Sequence, residues 1–347
     1  MRTYVAAIGL ALLLYVGATA LLSGHPAAPQ TTTQAASAVD ATVQVKTPPT
    51  DSLSLIVLPR DGIKPLLSMI GGAEKSVDLV MYQLEDPQVE EALAAAQARG
   101  VAVRVLLNKG YYGKQEGRNQ PAYEYLESKG VAVHWTPAYF ALTHQKTLVV
   151  DGEKALIMTF NLVPKYYATG RDFGIVDTEP SDVAAIEEAF DADWNGNRIP
   201  APADEDLVWS PGSEDEMLAL IASAKSSLDV YNEEMADSAV ITALEDAAER
   251  GVEVEVDMTY QSSWKKAFQA LVAAGVHVRT YASSAPLYIH AKMILADGAR
   301  AFVGSENFSP TSLNKNRELG IVIDDPGIIA SLADIFRTDW QGARVYQ

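Results

Sequence analysis

The sequence predicts an α/β protein of two pseudo-symmetric lobes, each a mostly β-sheet core flanked by helices. Three observations carry that prediction. The length of 347 residues suits two lobes, and 48% hydrophobic residues are ample for two packed cores. From Leu53 onward, strand-like and helix-like segments alternate in the same order in both halves. Finally, one residue pattern occurs twice without a gap. His144-x-Lys146-x4-Asp151-Gly152 returns as His290-x-Lys292-x4-Asp297-Gly298, 146 residues later.

The N-terminus reads as a targeting segment over residues 1–23. Arg2 precedes an uncharged run from Val5 to Leu22, and Ala18-Thr19-Ala20 resembles a small-x-small cleavage site. Export with cleavage is the favoured expectation. An uncleaved anchor through residues 5–22 is the alternative, and either places the rest outside the cytoplasm, secreted or periplasmic. Residues 24–51 are rich in Ala, Thr, Pro and Gln and form a linker.

Lobe 1 is expected over 52–200 and lobe 2 over 207–347, joined by the Pro- and acid-rich stretch Pro200 to Leu207. In lobe 1, Ser76 to Tyr82 is a buried strand. Asp86-Pro87 caps and opens a helix that Gly100 closes, and Val101 to Leu107 is the next strand. In lobe 2 the same series is the strand Ser227 to Asn232, the cap Asp237, the closing Gly251 and the strand Val252 to Met258. Here the offset is 151, so lobe 1 carries about five extra residues, assigned to the loop Asn108 to Pro121. Ser213-x-x-Glu216 reads as a capping box. The motifs read as hairpins, His144 to Asp151 with Ala155 to Phe160, and Lys292 to Ala296 with Ala301 to Val303, around Asp-Gly turns. Side chains at i and i+2 of a strand share a face, so His and Lys of each motif point the same way. Helices Ser181 to Asp193 and Pro326 to Trp340 end the lobes.

The repeat matches in polar positions, whereas a repeat kept for packing alone should match mainly in apolar ones. Asn161 and Asn307 each follow their His by 17 residues, and Asp172 and Glu318 each by 28. Arg171 recurs as Arg317, and Trp194-x-Gly196 as Trp340-x-Gly342. Two His, two Lys and two Asn brought together suit a phosphodiester. The ammonium and amide groups can bind non-bridging oxygens. One imidazole can attack phosphorus and the other can protonate the leaving oxygen. Asp172 and Glu318 are candidates to orient the imidazoles.

Composition narrows the class. No cysteine is present, which removes disulfides, thiolate catalysis and Cys-ligated zinc. Five histidines without paired Cys or a His-x3-His helix suggest no metal site and no cofactor. His134 and His277 read as ordinary strand residues. A net charge of −18 disfavours a nucleic-acid partner, which needs a basic face. It reads first as solubility. Tyr111, Tyr112, Tyr166 and Tyr167 sit in loops near the motifs and could line a lipid or nucleobase pocket.

The duplicated His-x-Lys-x4-Asp motif, with Gly304-Ser305-x-Asn307 after the second copy, resembles the phospholipase D superfamily. The resemblance spans roughly residues 52 to 347. It implies two similar α/β lobes with the site at their interface, His144 as nucleophile and His290 as general acid. It further implies phosphate binding by Lys146, Lys292, Asn161 and Asn307, with Asp151 and Asp297 completing the motifs, often as structural supports. Asp172, Glu318, Ser305 and Thr159 are supporting positions. Lobe 1 departs from the pattern, with Met158-Thr159-Phe160-Asn161 in place of Gly-Ser-x-Asn. Thr159 can replace the Ser hydroxyl, while Met158 and Phe160 make that side bulkier.

The leading functional expectation is a metal-independent phospholipase D that hydrolyses glycerophospholipid headgroups at a membrane surface. Alternatives are an exported endonuclease, a phosphatidyltransferase of cardiolipin-synthase type, and a non-catalytic lipid-binding surface protein.

Overall fold

The computed structural model describes residues 52–110, 117–202 and 206–347. The leader, the linker, Tyr111, Tyr112 and the middle of the lobe 1 insertion lie outside the described residues.

Lobe 1 contains strands β1 (Leu53–Leu58), β2 (Ser76–Met81), β3 (Ala102–Leu107), β4 (Ala132–Trp135), β5 (Thr147–Val150), β6 (Lys154–Met158) and β7 (Gly170–Asp177). Its helices are α1 (Lys64–Gly71), α2 (Pro87–Ala98), α3 (Gln120–Ser128), α4 (Pro164–Tyr167) and α5 (Pro180–Trp194). Lobe 2 contains β8 (Leu207–Ser210), β9 (Ser227–Tyr231), β10 (Glu253–Thr259), β11 (His277–Tyr281), β12 (Tyr288–Ile289), β13 (Met293–Ala296), β14 (Arg300–Gly304), β15 (Glu318–Ile323) and β16 (Arg344–Val345). Its helices are α6 (Ser213–Ser223), α7 (Ser238–Glu249), α8 (Lys265–Ala273), α9 (Pro310–Asn314) and α10 (Pro326–Gly342).

The sheet orders are β1-β7-β6-β5-β2-β3-β4 and β16-β11-β10-β9-β13-β14-β15-β8, the same order in each lobe apart from β16. The chain is therefore α/β with two pseudo-symmetric lobes. Strands β2, β3 and β4 run parallel, as do β9, β10 and β11, and β12 joins β7 in parallel; the other neighbours join antiparallel, so each sheet is mixed. Near-continuous apolar sequences such as β2 fit central strands buried on both faces.

The predicted punctuation is present. The Asp86 side chain accepts from Gln88 N at 2.9 Å, and that of Asp237 from Ala239 N at 2.9 Å, each capping its helix. Gly100 and Gly251 follow those helices at φ +95° and +90°, a conformation that favours glycine. The capping box is not formed. Gly212 occupies the N-cap of α6, and Ser213 Oγ donates to Leu313 O instead. That bond fastens α6 to the segment carrying α9.

Apolar residues form one core on the outer side of each sheet and a third core between the lobes. The third draws on Val149, Ile157, Phe173 and Ile186 of lobe 1 and on Tyr231, Met293, Leu319 and Phe336 of lobe 2. The lobes thus share a hydrophobic interior, which fixes their mutual position.

Asp257, on β10, is buried in that region with neither carboxylate oxygen paired. Burial, with Asp339 nearby, pushes its carboxyl up to about 8, against the pull of Arg279 and Arg171. The sign follows from linkage. The unfolded chain releases this proton near the ordinary carboxyl value of 3.8, while the folded chain holds it to about 8. Stability should therefore fall as pH rises between those values and level off above them. Asp257→Asn is expected to remove that slope and to stabilise the protein by a few kcal/mol at pH 8 and above. Thermal unfolding of both chains from pH 5 to 9 checks it; parallel curves would refute it.

Candidate active site

Each motif histidine lies just outside a strand, in an extended segment held by the opposite lobe. His144 N and Gln145 N donate to Arg317 O at 2.9 and 3.0 Å. His290 N and Ala291 N donate to Arg171 O at 3.2 and 2.8 Å, continuing the pairing of β12 with β7. The motif strands consequently begin at Thr147 and Met293, later than the hairpin reading placed them. The backbone groups at the histidines are used across the interface rather than within a hairpin.

The Asp-Gly turns form as predicted. Asp151 and Gly152 have φ of 60° and 65°, Asp297 and Gly298 of 54° and 59°. Those values, with Glu153 N donating to Val150 O, define a type I′ turn. Asp151 accepts from the backbone N–H groups of Glu74, Lys75 and Ser76. Asp297 accepts likewise from Lys225, Ser226 and Ser227. Desolvation would raise both carboxyls, but three N–H donors at each, joined at Asp297 by the Ser226 hydroxyl, lower them. Both residues sit at the far end of their strands from the histidines. There they tie a hairpin turn to the loop before a central strand.

The two histidines, Asn161, Asn307 and Asp172 line one cavity of about 440 Å³ between the lobes. His144 Nδ1 faces Glu318 Oε2 at 2.7 Å and Ser305 O at 3.1 Å. Both partners are acceptors, so the proton sits on Nδ1 and the lone pair on Nε2. Burial pushes His144 down to about 4, outweighing Glu318. His290 Nδ1 faces Asp172 Oδ1 at 2.7 Å. The carboxylates are exchanged between halves: each imidazole is oriented by the other lobe, not by the residue 28 positions further along its own lobe.

Those carboxylates are themselves held. Ser312 Oγ donates to Glu318 Oε1 at 2.5 Å and Asn316 Nδ2 at 2.9 Å. Burial would raise Glu318, yet His144 and Lys146 keep it below its ordinary value. Its neighbour Glu306 is driven well up by burial and by Glu318. Thr159 Oγ1 donates to Asp172 at 2.6 Å and accepts from Phe173 N at 2.9 Å. Ser305 Oγ likewise accepts from Leu319 N, at 3.2 Å. Thr159 and Ser305 therefore do the same backbone work. Of the two bulky residues in lobe 1, Phe160 lines the cavity, whereas Met158 packs in the outer core.

Lys146 and Lys292 are fully buried behind the histidines and are not part of the cavity wall. Each Nζ donates to the carbonyl of its own histidine at 2.5 Å. Burial lowers Lys146 to about 7, with Lys292 adding to the effect and Glu318 opposing it.

The arginines of the repeat pair across the interface. Arg171 meets Asp339 at 2.6 Å and Arg317 meets Asp193 at 2.8 Å. Asp193 and Asp339 obey the 146-residue offset, a signal present in the sequence. Glu233, Tyr288, Gln261 and Trp264 also line the cavity but carry no repeat signal. Tyr166 and Tyr167 line it as well. His134 stacks on Trp194, and His277 is exposed on β11. Among the described residues no cluster of three or more His, Cys, Asp or Glu could hold a metal ion.

Comparison with known proteins agrees with this geometry. The family described as "Cardiolipin synthase, PLD-like domain" matches residues 66–194 and 217–340. The chain is 25% identical over 340 residues to cardiolipin synthase A of Yersinia pseudotuberculosis serotype O:1b (strain IP 31758), covering 82% of this chain and 68% of that one. Cardiolipin synthase A of Pectobacterium carotovorum subsp. carotovorum (strain PC1) matches at 25% over 338 residues, with the same coverage. Phosphatidylserine synthase of Haemophilus influenzae Rd KW20 superposes with a TM-score of 0.68 at 12% identity, over 86% of this chain and 88% of that one. Polyphosphate kinase of Porphyromonas gingivalis gives 0.66 at 16%, over 83% and 47%. At such identities the structures speak for the fold alone. A family match over both lobes, with two motif histidines at one cavity, places this chain in the phospholipase D superfamily, among its cardiolipin-synthase-type PLD-like domains.

Proposed function

We propose that this protein is a phosphatidyltransferase that moves a phosphatidyl group from a glycerophospholipid to an alcohol through a phospho-histidine. The observation that carries the reading is the pair of cross-lobe His–carboxylate dyads on one cavity. His144 Nε2, with its lone pair free, attacks phosphorus. The bond to the headgroup oxygen breaks, and that oxygen takes a proton from His290 Nε2. An acceptor hydroxyl then returns a proton to His290 and attacks phosphorus, breaking the P–N bond. Asn161 and Asn307 are placed to bind the non-bridging oxygens, and Lys146 and Lys292 offset their charge.

Hydrolysis and transfer share this intermediate and differ only in the acceptor. The likeness to cardiolipin synthases favours transfer over the hydrolysis that the sequence alone put first. The aromatic lining from Tyr166, Tyr167 and Phe160 suits a lipid better than a polyanion. No helix among the described residues is long and apolar enough to cross a membrane. In this reading the apolar run at residues 5–22 brings the enzyme to a membrane surface outside the cytoplasm.

Incubation of the full chain with phosphatidylglycerol vesicles in EDTA is expected to yield cardiolipin and free glycerol, read by mass spectrometry. Phosphatidic acid as sole product would establish hydrolysis instead. Cleavage of single-stranded DNA without lipid turnover would put a nuclease in its place.

A further inference from the structure

The two half-sites are not chemically equal, and one residue makes the difference. Aligned on the offset of 151, lobe 2 carries Glu233 where lobe 1 carries Tyr82. The Tyr82 ring meets the His144 imidazole edge-on, with centroids 4.6 Å apart, and lies 5.3 Å from Lys146 Nζ. Glu233 Oε2 lies 3.4 Å from both His290 Nε2 and Lys292 Nζ. Its other oxygen accepts from Tyr288 OH at 3.0 Å, which holds the carboxylate in place.

An N–H facing an anion is attracted to it, whereas a nitrogen lone pair is repelled. His144 has one carboxylate, Glu318, on Nδ1, and an aromatic ring beside it. His290 has a carboxylate at each nitrogen, Asp172 on Nδ1 and Glu233 on Nε2. The charged and titratable groups that face this ring are Asp172, Glu233, Lys292 and Tyr288, with His144 across the cavity. Glu233 stays anionic in this setting. Burial opposes it, but His290, Lys292 and His144 hold it down at about 2.

We propose that Glu233 is a positioning residue that keeps a proton on His290 Nε2, so that His290 serves the leaving and entering alcohol while His144 attacks phosphorus. The alcohol then binds on the lobe 2 side, beside Glu233, Tyr288 and Gln261, whose oxygens can accept from hydroxyl groups. This assignment rests on the phosphatidyltransfer reading and gives it a direction: substrates whose leaving group is a donor-rich alkyl alcohol.

The test compares two lipids that differ only in the leaving group, phosphatidylglycerol and phosphatidyl-p-nitrophenol. An alkoxide needs a proton to leave; nitrophenolate at neutral pH does not. Glu233→Gln keeps the shape and the Tyr288 contact but loses the charge. First-turnover glycerol release should fall about 100-fold, the ordinary worth of general-acid catalysis. First-turnover nitrophenolate release should stay nearly unchanged. Glu233→Asp, which keeps the charge, should recover much of the loss. Rates are compared at matched folded fraction, read from circular dichroism melting. Equal losses on both lipids, or none on either, would overturn the role given to Glu233. If the wild-type chain turned over neither lipid, the phosphatidyltransfer reading would fall first, and this inference with it.

Discussion

His144→Ala is expected to lower lipid turnover by about 10⁴-fold or more, because it removes the atom that carries the phosphatidyl group. His290→Ala should lose a similar factor in steady state with an alkyl headgroup, but for a different reason. It keeps the nucleophile and lacks the group that exchanges protons with the alcohol. With phosphatidyl-p-nitrophenol it should therefore release about one equivalent of nitrophenolate and then stall. Intact-protein mass spectrometry of the stalled sample should show one added phosphatidyl group, and peptide mapping should place it on His144. An adduct on His290 in the His144→Ala chain, or no adduct in either, would reverse or remove the assignment of roles. His144 is buried and His290 is partly buried, so circular dichroism melting should accompany each assay.

A second large effect is expected at Glu318. Glu318→Gln leaves the volume unchanged but replaces the acceptor opposite His144 Nδ1 by a neutral amide. Its NH₂ can then face Nδ1 and shift the imidazole proton to Nε2, hiding the attacking lone pair. Loss of an orienting carboxylate in a catalytic triad lowers turnover by about 10⁴-fold, and a loss approaching that size is expected here. Which histidine Glu318 serves is tested by non-additivity. Residues that act as a unit lose little more together than apart. Glu318→Gln added to His144→Ala should cost almost nothing further, whereas the same change added to His290→Ala should lower nitrophenolate release again. The opposite pattern would mean that each carboxylate serves the histidine of its own lobe.

Much of the fold was legible because it rests on local rules. The caps at Asp86 and Asp237, the glycines at 100 and 251 and the Asp-Gly turns need only neighbouring residues to form. The capping box expected at Ser213 does not form, because Gly212 takes the cap and the serine hydroxyl finds Leu313 O, 100 residues away. The first hairpin is shorter than its sequence suggests for a similar reason: His144 N and Gln145 N are bonded across the interface. No periodicity reports a partner in another lobe.

The site divides along the same line. The sequence by itself determined the two-lobed α/β class, the paired His, Lys and Asn residues and the carboxylates at positions 172 and 318, because a polar repeat is visible in one dimension. Only the tertiary structure decided how those groups pair. It exchanged Asp172 and Glu318 between the histidines and joined Arg171 to Asp339 and Arg317 to Asp193. It set Asp151 and Asp297 apart as turn anchors and sank the lysines beneath the floor. It also brought in Glu233, which breaks the repeat and so leaves no trace in it. The physical reason is that hydrogen bonds and ion pairs act over about 3 Å. Which groups come that close is settled by how the two sheets pack on their shared core, not by spacing along the chain.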